Sequence, residues 1–124
     1  DTATTLADAV AHLRRAVRDP SITFSVEDAD EASAISRTDD DRWAVLTQVV
    51  REVFPDAVPA PYVQNGATDA RRFAPWCEHV YRFAPLRLSD ADRARLHAAD
   101  EQVAVTTLGE GVRFVATLVR RVAA

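Results

Sequence analysis

Lysine and methionine are both missing from these 124 residues, cysteine occurs once and glycine three times. Each shortage excludes something. Cys77 alone cannot close an internal disulfide, so nothing in the chain requires an oxidising compartment. A thiolate nucleophile would need a base, and His79 lies two residues on. A small, partly buried side chain beside Trp76 is the simpler expectation for Cys77. With no methionine, Asp1 is not a translation start, and the chain is expected to be processed or a fragment. All 15 basic residues are arginine, which reads as a coding bias because no fold demands zero lysine. No run of 18 apolar residues and no signal peptide is visible, so a soluble cytoplasmic protein with no membrane partner is expected. The net charge of −4 is spread without a basic stripe, which argues against a nucleic-acid partner.

What is present is globular in composition. An apolar share of 48% with 27% charged residues supports one domain with a modest core. Leu6, Val10, Leu13 and Val17 recur at helical spacing. Thr5 with Asp8 forms a capping signature, and Pro20 ends the segment. Ile22, Phe24 and Val26 then alternate with polar residues as in a half-buried strand. Residues 27–38 are acidic, polar and aperiodic, which reads as a loop. Asp39 to Asp41 cap a second helix that carries Trp43, Leu46, Val50, Val53 and Phe54 on one face until Pro55.

Val58 to Val63 holds two prolines and can only be a short or peripheral strand. Val80 to Phe83 is a further strand candidate, and Ser89 to Asp92 starts a capped helical turn. Thr107 with Glu110 predicts a capping box for a last helix, with Leu108, Val112, Val115, Leu118, Val119 and Val122 as its apolar stripe. Gly109 and Gly111 weaken that helix by about 1 kcal/mol each relative to alanine. Helices alternating with strands give an α/β expectation, and no internal repeat is apparent.

Two places can carry chemistry. The turn Asn65-Gly66-Ala67-Thr68-Asp69 follows a strand candidate, where ligands bind in open α/β sheets. Gly66 permits close backbone approach, and Thr68 and Asp69 place a hydroxyl and a carboxylate at the rim. An ordinary turn with Thr68 or Asp69 as a helix cap explains the same residues. Arg71 and Arg72 could clamp a carboxylate, although such pairs more often bridge local acids. The second place is His97, followed by Asp100 and Glu101. Imidazole is a common zinc ligand, but no H-x-x-x-H or C-x-x-C spacing surrounds it, so the residues alone make it a surface histidine. His12 and His79 receive no catalytic role.

The order of these pieces resembles the family of zinc amidohydrolases and exopeptidases that includes the aminoacylases, carboxypeptidase S, acetylornithine deacetylase and succinyl-diaminopimelate desuccinylase. There a G-[GA]-T-D-[AS]-R turn, a V-Y-R-F-x-P strand and an R-[IL]-H-x-x-[ND]-E segment succeed one another. Here they stand as Gly66 to Arg71, Val80 to Pro85 and Arg95 to Glu101. The chain departs in having Gly66-Ala67 where two glycines are common, and His97-Ala98-Ala99-Asp100-Glu101 where H-G-x-N-E is common. The resemblance implies that residues 1–28 end a lid or dimerisation domain. Residues 29–124 would then form the C-terminal part of an α/β catalytic domain.

It further implies two zinc ions per intact active site, with His97 as one ligand and Gly66, Thr68 and Asp69 in the substrate pocket. The substrate class is an N-acyl amino acid or small peptide, cleaved at the amide. In the family the remaining ligands and the general base lie upstream, so this chain is expected to be inactive, with no zinc bound by it alone. Exposed edges and apolar faces would make it self-associate or pair with the missing N-terminal part. The rival reading is a non-catalytic α/β interaction domain, with the Thr68-Asp69 turn as a cap and His97 in a loop.

Overall fold

A computed structural model describes residues 4–64, 66 and 68–124. Asp1, Thr2, Asn65 and Ala67, which figured in the expected lid end and pocket turn, lie outside the described residues. The chain divides into two compact units, Asp1–Ser36 with Gly66–Val80 and Arg37–Asn65 with Tyr81–Ala124.

The first unit holds helix α1, Leu6–Val17, and the single turn α3, Ala70–Phe73. Thr5 and Asp8 close the capping box expected of them, so two otherwise orphaned N–H groups are satisfied at the start of α1. Arg18 ends the helix in a left-handed conformation (φ 53°) just before Pro20. The helix itself buries no residue. Polar links therefore dominate this unit. The Leu6 N–H donates to the Glu31 carboxylate at 3.1 Å, Arg71 pairs with Asp30 at 2.6 Å, and Ser36 Oγ both accepts from the Val80 N–H and donates to its carbonyl.

The second unit carries the hydrophobic core. Helix α2, Asp41–Val53, starts on the Asp40 carboxylate, which accepts the Arg42 and Trp43 N–H groups. Helix α5, Val105–Val122, packs against it, and the turn α4, Asp90–Ala94, lies between them in sequence. Leu46, Val49, Val50, Val53, Phe54 and Phe114 are buried together, with Trp43, Ala57, Tyr81 and Leu118 partly buried around them. Phe114 lies 6.2 Å from Phe54 and 5.2 Å from Phe83, ring centre to ring centre. Arg87 ties the intervening loop to both helices. Its guanidinium forks onto Asp56, reaches Glu110 at 3.4 Å and lies 5.0 Å over the Phe54 ring. That fork holds the Asp56 carboxyl well below its usual range, at about 2.

Three expectations need correction. The last helix begins two residues before Thr107, on Ala104, with no side-chain cap. Thr107 is buried in the first turn and its hydroxyl donates to the Arg87 carbonyl at 3.4 Å, so the Thr107–Glu110 box does not form. The inward face of α5 is Thr107, Gly111 and Phe114 with Leu118 beside them, whereas Leu108, Val112, Val115, Val119 and Val122 are exposed. Aliphatic spacing marks two adjacent faces of this helix, and periodicity cannot say which one meets α2. Cys77 is exposed, and its thiol contacts the carbonyl oxygen of His79, 3.3 Å away, instead of the imidazole.

Ile22 to Val26, Val58 to Val63 and Val80 to Phe83 run without helix, and no β-ladder joins any of the described residues. A strand needs a neighbouring strand to bond its N–H and C=O groups in a ladder, and the described residues supply no such ladder.

The two helix glycines have opposite surroundings. A Cβ on Gly109 would meet open space, whereas one on Gly111 would lie 3.2 Å from the Pro85 carbonyl oxygen and 3.3 Å from Leu86 Cδ2. Gly109→Ala is expected to stabilise the second unit by about 0.5–1 kcal/mol. Gly111→Ala should forfeit that gain, because backbone at the contact must move. Urea midpoints of the two variants give the comparison, and equal shifts would show that the Pro85 contact is not tight.

Candidate functional site

The residues expected in a substrate turn and the candidate metal ligand fall in different units: Gly66, Thr68 and Asp69 in the first, His97 in the second. Gly66 is exposed. Thr68 accepts the Ala70 N–H on its hydroxyl at 3.3 Å, the capping arrangement that an ordinary turn would show. Asp69 makes no cap bond; its carboxylate stands in solvent with Arg72 3.9 Å away. Arg72 and Arg71 bridge local acids, Asp69 and Asp30. An open concavity of about 600 Å³ lies in the same unit, lined by Asp28, Asp30, Glu31, Ser33, Arg71 and Arg72 among others, but not by Thr68 or Asp69.

His97 is built differently. It sits exposed at the apex of consecutive turns, with a left-handed backbone (φ 66°) that few non-glycine residues adopt. The turns are hydrogen-bonded in series: Leu96 N–H to Arg93 O at 3.2 Å, Ala98 N–H to Arg95 O at 2.9 Å, Glu101 N–H to Ala98 O at 3.2 Å. The His97 N–H itself donates to Glu101 Oε2 at 3.2 Å. Below them, the Ser89–Asp92 capping box fixes α4, and the Arg95 guanidinium lies between Asp92 (3.6 Å) and Asp100 (3.8 Å).

The imidazole ring has no hydrogen-bond partner among the described residues. An imidazole with both nitrogens unengaged among the described residues fits one position in a metal's coordination shell. It fits no more than one: no group of three His, Cys, Asp or Glu able to hold a cation occurs among the described residues. Sequence reasoning singled out His97 but missed Glu101 as the group holding its backbone. The positive φ is what no sequence pattern announces.

Comparison with known proteins bears on the chain as a whole. The chain is 28% identical over 114 residues to the probable carboxypeptidase S-like 2 of Dictyostelium discoideum, covering 91% of this chain and 22% of that protein. It is 31% identical over 107 residues to an N-fatty-acyl-amino acid synthase/hydrolase of Homo sapiens, covering 84% of this chain and 21% of that protein. The chain belongs to the carboxypeptidase S-like amidohydrolase family. A protein of the same name from Mus musculus is 29% identical over 106 residues, covering 83% of this chain and 21% of that protein. The chain thus spans about a fifth of the length of the curated family members it matches. No family model matches it, and no solved structure matches it.

Proposed function

We propose that this chain is the C-terminal part of a zinc-dependent amidohydrolase that cleaves the amide bond of N-acyl amino acids or small peptides, and that it is inactive alone. The observation that carries the reading is the Arg95-Leu96-His97-Ala98-Ala99-Asp100-Glu101 segment. In this chain, it forms a braced turn whose imidazole, at the apex, is unengaged among the described residues. His97 would hold one metal position, and the other ligands and the general base would come from polypeptide outside this chain. Zinc, when bound, would polarise the amide carbonyl and lower the pKa of water. Two relatives support the substrate class by name, one as carboxypeptidase S-like and one as an N-fatty-acyl-amino acid synthase/hydrolase.

Within that reading, Asp69 has a solvent-facing carboxylate able to accept a substrate N–H, and Thr68 keeps a hydroxyl proton to donate. Gly66 would let substrate approach the backbone closely. The fold proposed for the assembled protein remains α/β. Ile22 to Val26, Val58 to Val63 and Val80 to Phe83 would pair with strands from elsewhere, and the exposed aliphatic face of α5 would be covered there or by a second copy. No described helix is long and apolar enough to cross a membrane, and we place the enzyme in the cytoplasm.

The whole enzyme containing this segment should release the amino acid from N-acyl amino acids, lose that activity to a chelator and regain it with zinc. This chain alone should release none. Turnover by the chain alone, or turnover by the whole enzyme that ignores chelation, would overturn the proposal.

A further inference from the structure

We propose that Glu101 is a positioning residue for His97, setting the left-handed backbone that aims the imidazole; this rests on the metal-ligand reading above. A non-glycine residue in that conformation is unfavourable by itself and persists only where its surroundings impose it. Here the imposing group is visible. The Glu101 carboxylate accepts the His97 N–H at 3.2 Å, a charge-assisted bond across four residues. The Glu101 backbone that carries it is held in the turn, because its N–H donates to Ala98 O and the neighbouring Asp100 lies 3.8 Å from Arg95. Arg95 is anchored in turn through Asp92, whose carboxylate is shared with the Ser89 cap.

The chain therefore commits Ser89, Asp92, Arg95, Asp100 and Glu101 to one exposed turn that buries no core side chain. Stability of the second unit does not require it, since its core lies on α2 and α5. Fixing the apex does make sense if the apex must meet a cation at a set angle. Supporting groups around a ligand commonly change metal affinity by about 10–100-fold.

Two measurements test this. In this chain, Glu101→Ala should move the His97 amide proton resonance upfield and speed its exchange, and Glu101→Gln, which keeps an acceptor, should restore most of both. In the whole enzyme, cobalt titrated into the metal-free protein should bind roughly tenfold or more weakly to Glu101→Ala, with a changed visible spectrum. Glu101→Gln should recover at least half of the loss on a logarithmic scale, and thermal midpoints should stay within a degree or two. An unmoved His97 amide, or wild-type cobalt affinity and spectrum in Glu101→Ala, would overturn the inference. If His97→Ala also leaves cobalt binding unchanged, the metal-ligand reading itself has failed. If only His97→Ala weakens it, that reading stands and Glu101 alone is excluded.

Discussion

His97→Ala in the assembled enzyme is expected to lower kcat/KM for an N-acyl amino acid roughly a thousandfold, about 4 kcal/mol of lost transition-state stabilisation. The side chain is exposed and supports no packing, so the second unit should keep its stability to within about 0.5 kcal/mol. His97→Gly sharpens the test. Glycine accepts a φ of 66° freely, so that variant should be more stable than the parent by up to about 1 kcal/mol while being equally inactive. Gain of stability with loss of turnover is the pattern of a residue kept for function against the preference of its backbone. The measurements are steady-state kinetics of the whole enzyme and denaturant melts of this chain. Near-normal turnover in His97→Ala would remove the imidazole from the reaction.

Phe114→Ala should cost the second unit about 3–5 kcal/mol, the range for deleting a buried aromatic ring. The ring is 3% exposed, stacks toward Phe54 and touches Phe83, so its loss opens a cavity between α2, α5 and Phe83. Whole-domain stability is typically only about 5–15 kcal/mol. The variant should therefore be largely unfolded in mild denaturant. Phe114→Leu, which keeps most of the volume, should lose only about 1.5 kcal/mol. Val112→Ala, two residues away on the exposed face, should change stability by about 0.5 kcal/mol or less. Trp43 borders this core and reports on it by fluorescence during urea titration. Equal costs for Phe114→Ala and Val112→Ala would mean that α5 presents its other face to α2.

Legibility in the sequence followed the range of the interactions. The Thr5–Asp8 and Ser89–Asp92 boxes and the Asp40 cap of α2 were readable because a cap is decided within four residues. Pro20 and Pro55 marked helix ends for the same local reason. The Thr107–Glu110 pattern had the same letters and failed, because Thr107 found the Arg87 carbonyl twenty residues away. Val49, the most deeply buried side chain of α2, was left out of its expected apolar face, which was drawn through Leu46 and Val50. Of the candidate site, the motif at His97 was legible as a string of residues. Its braced geometry was not, since no residue pattern says that a carboxylate four positions on will turn back to the His97 N–H and hold a left-handed φ.

By itself the sequence determined α1 and α2 with their starts and stops, the capped turn at Ser89, and the family to which the chain belongs, because each of these is written in neighbouring residues or in a linear pattern. Tertiary structure alone decided which side of α5 faces the core and that Arg87 joins Asp56, Glu110 and Phe54 at one point. Those outcomes rest on contacts between groups whose encounter depends on the chain path between them. Local propensity does not encode that path until the hydrophobic core has closed.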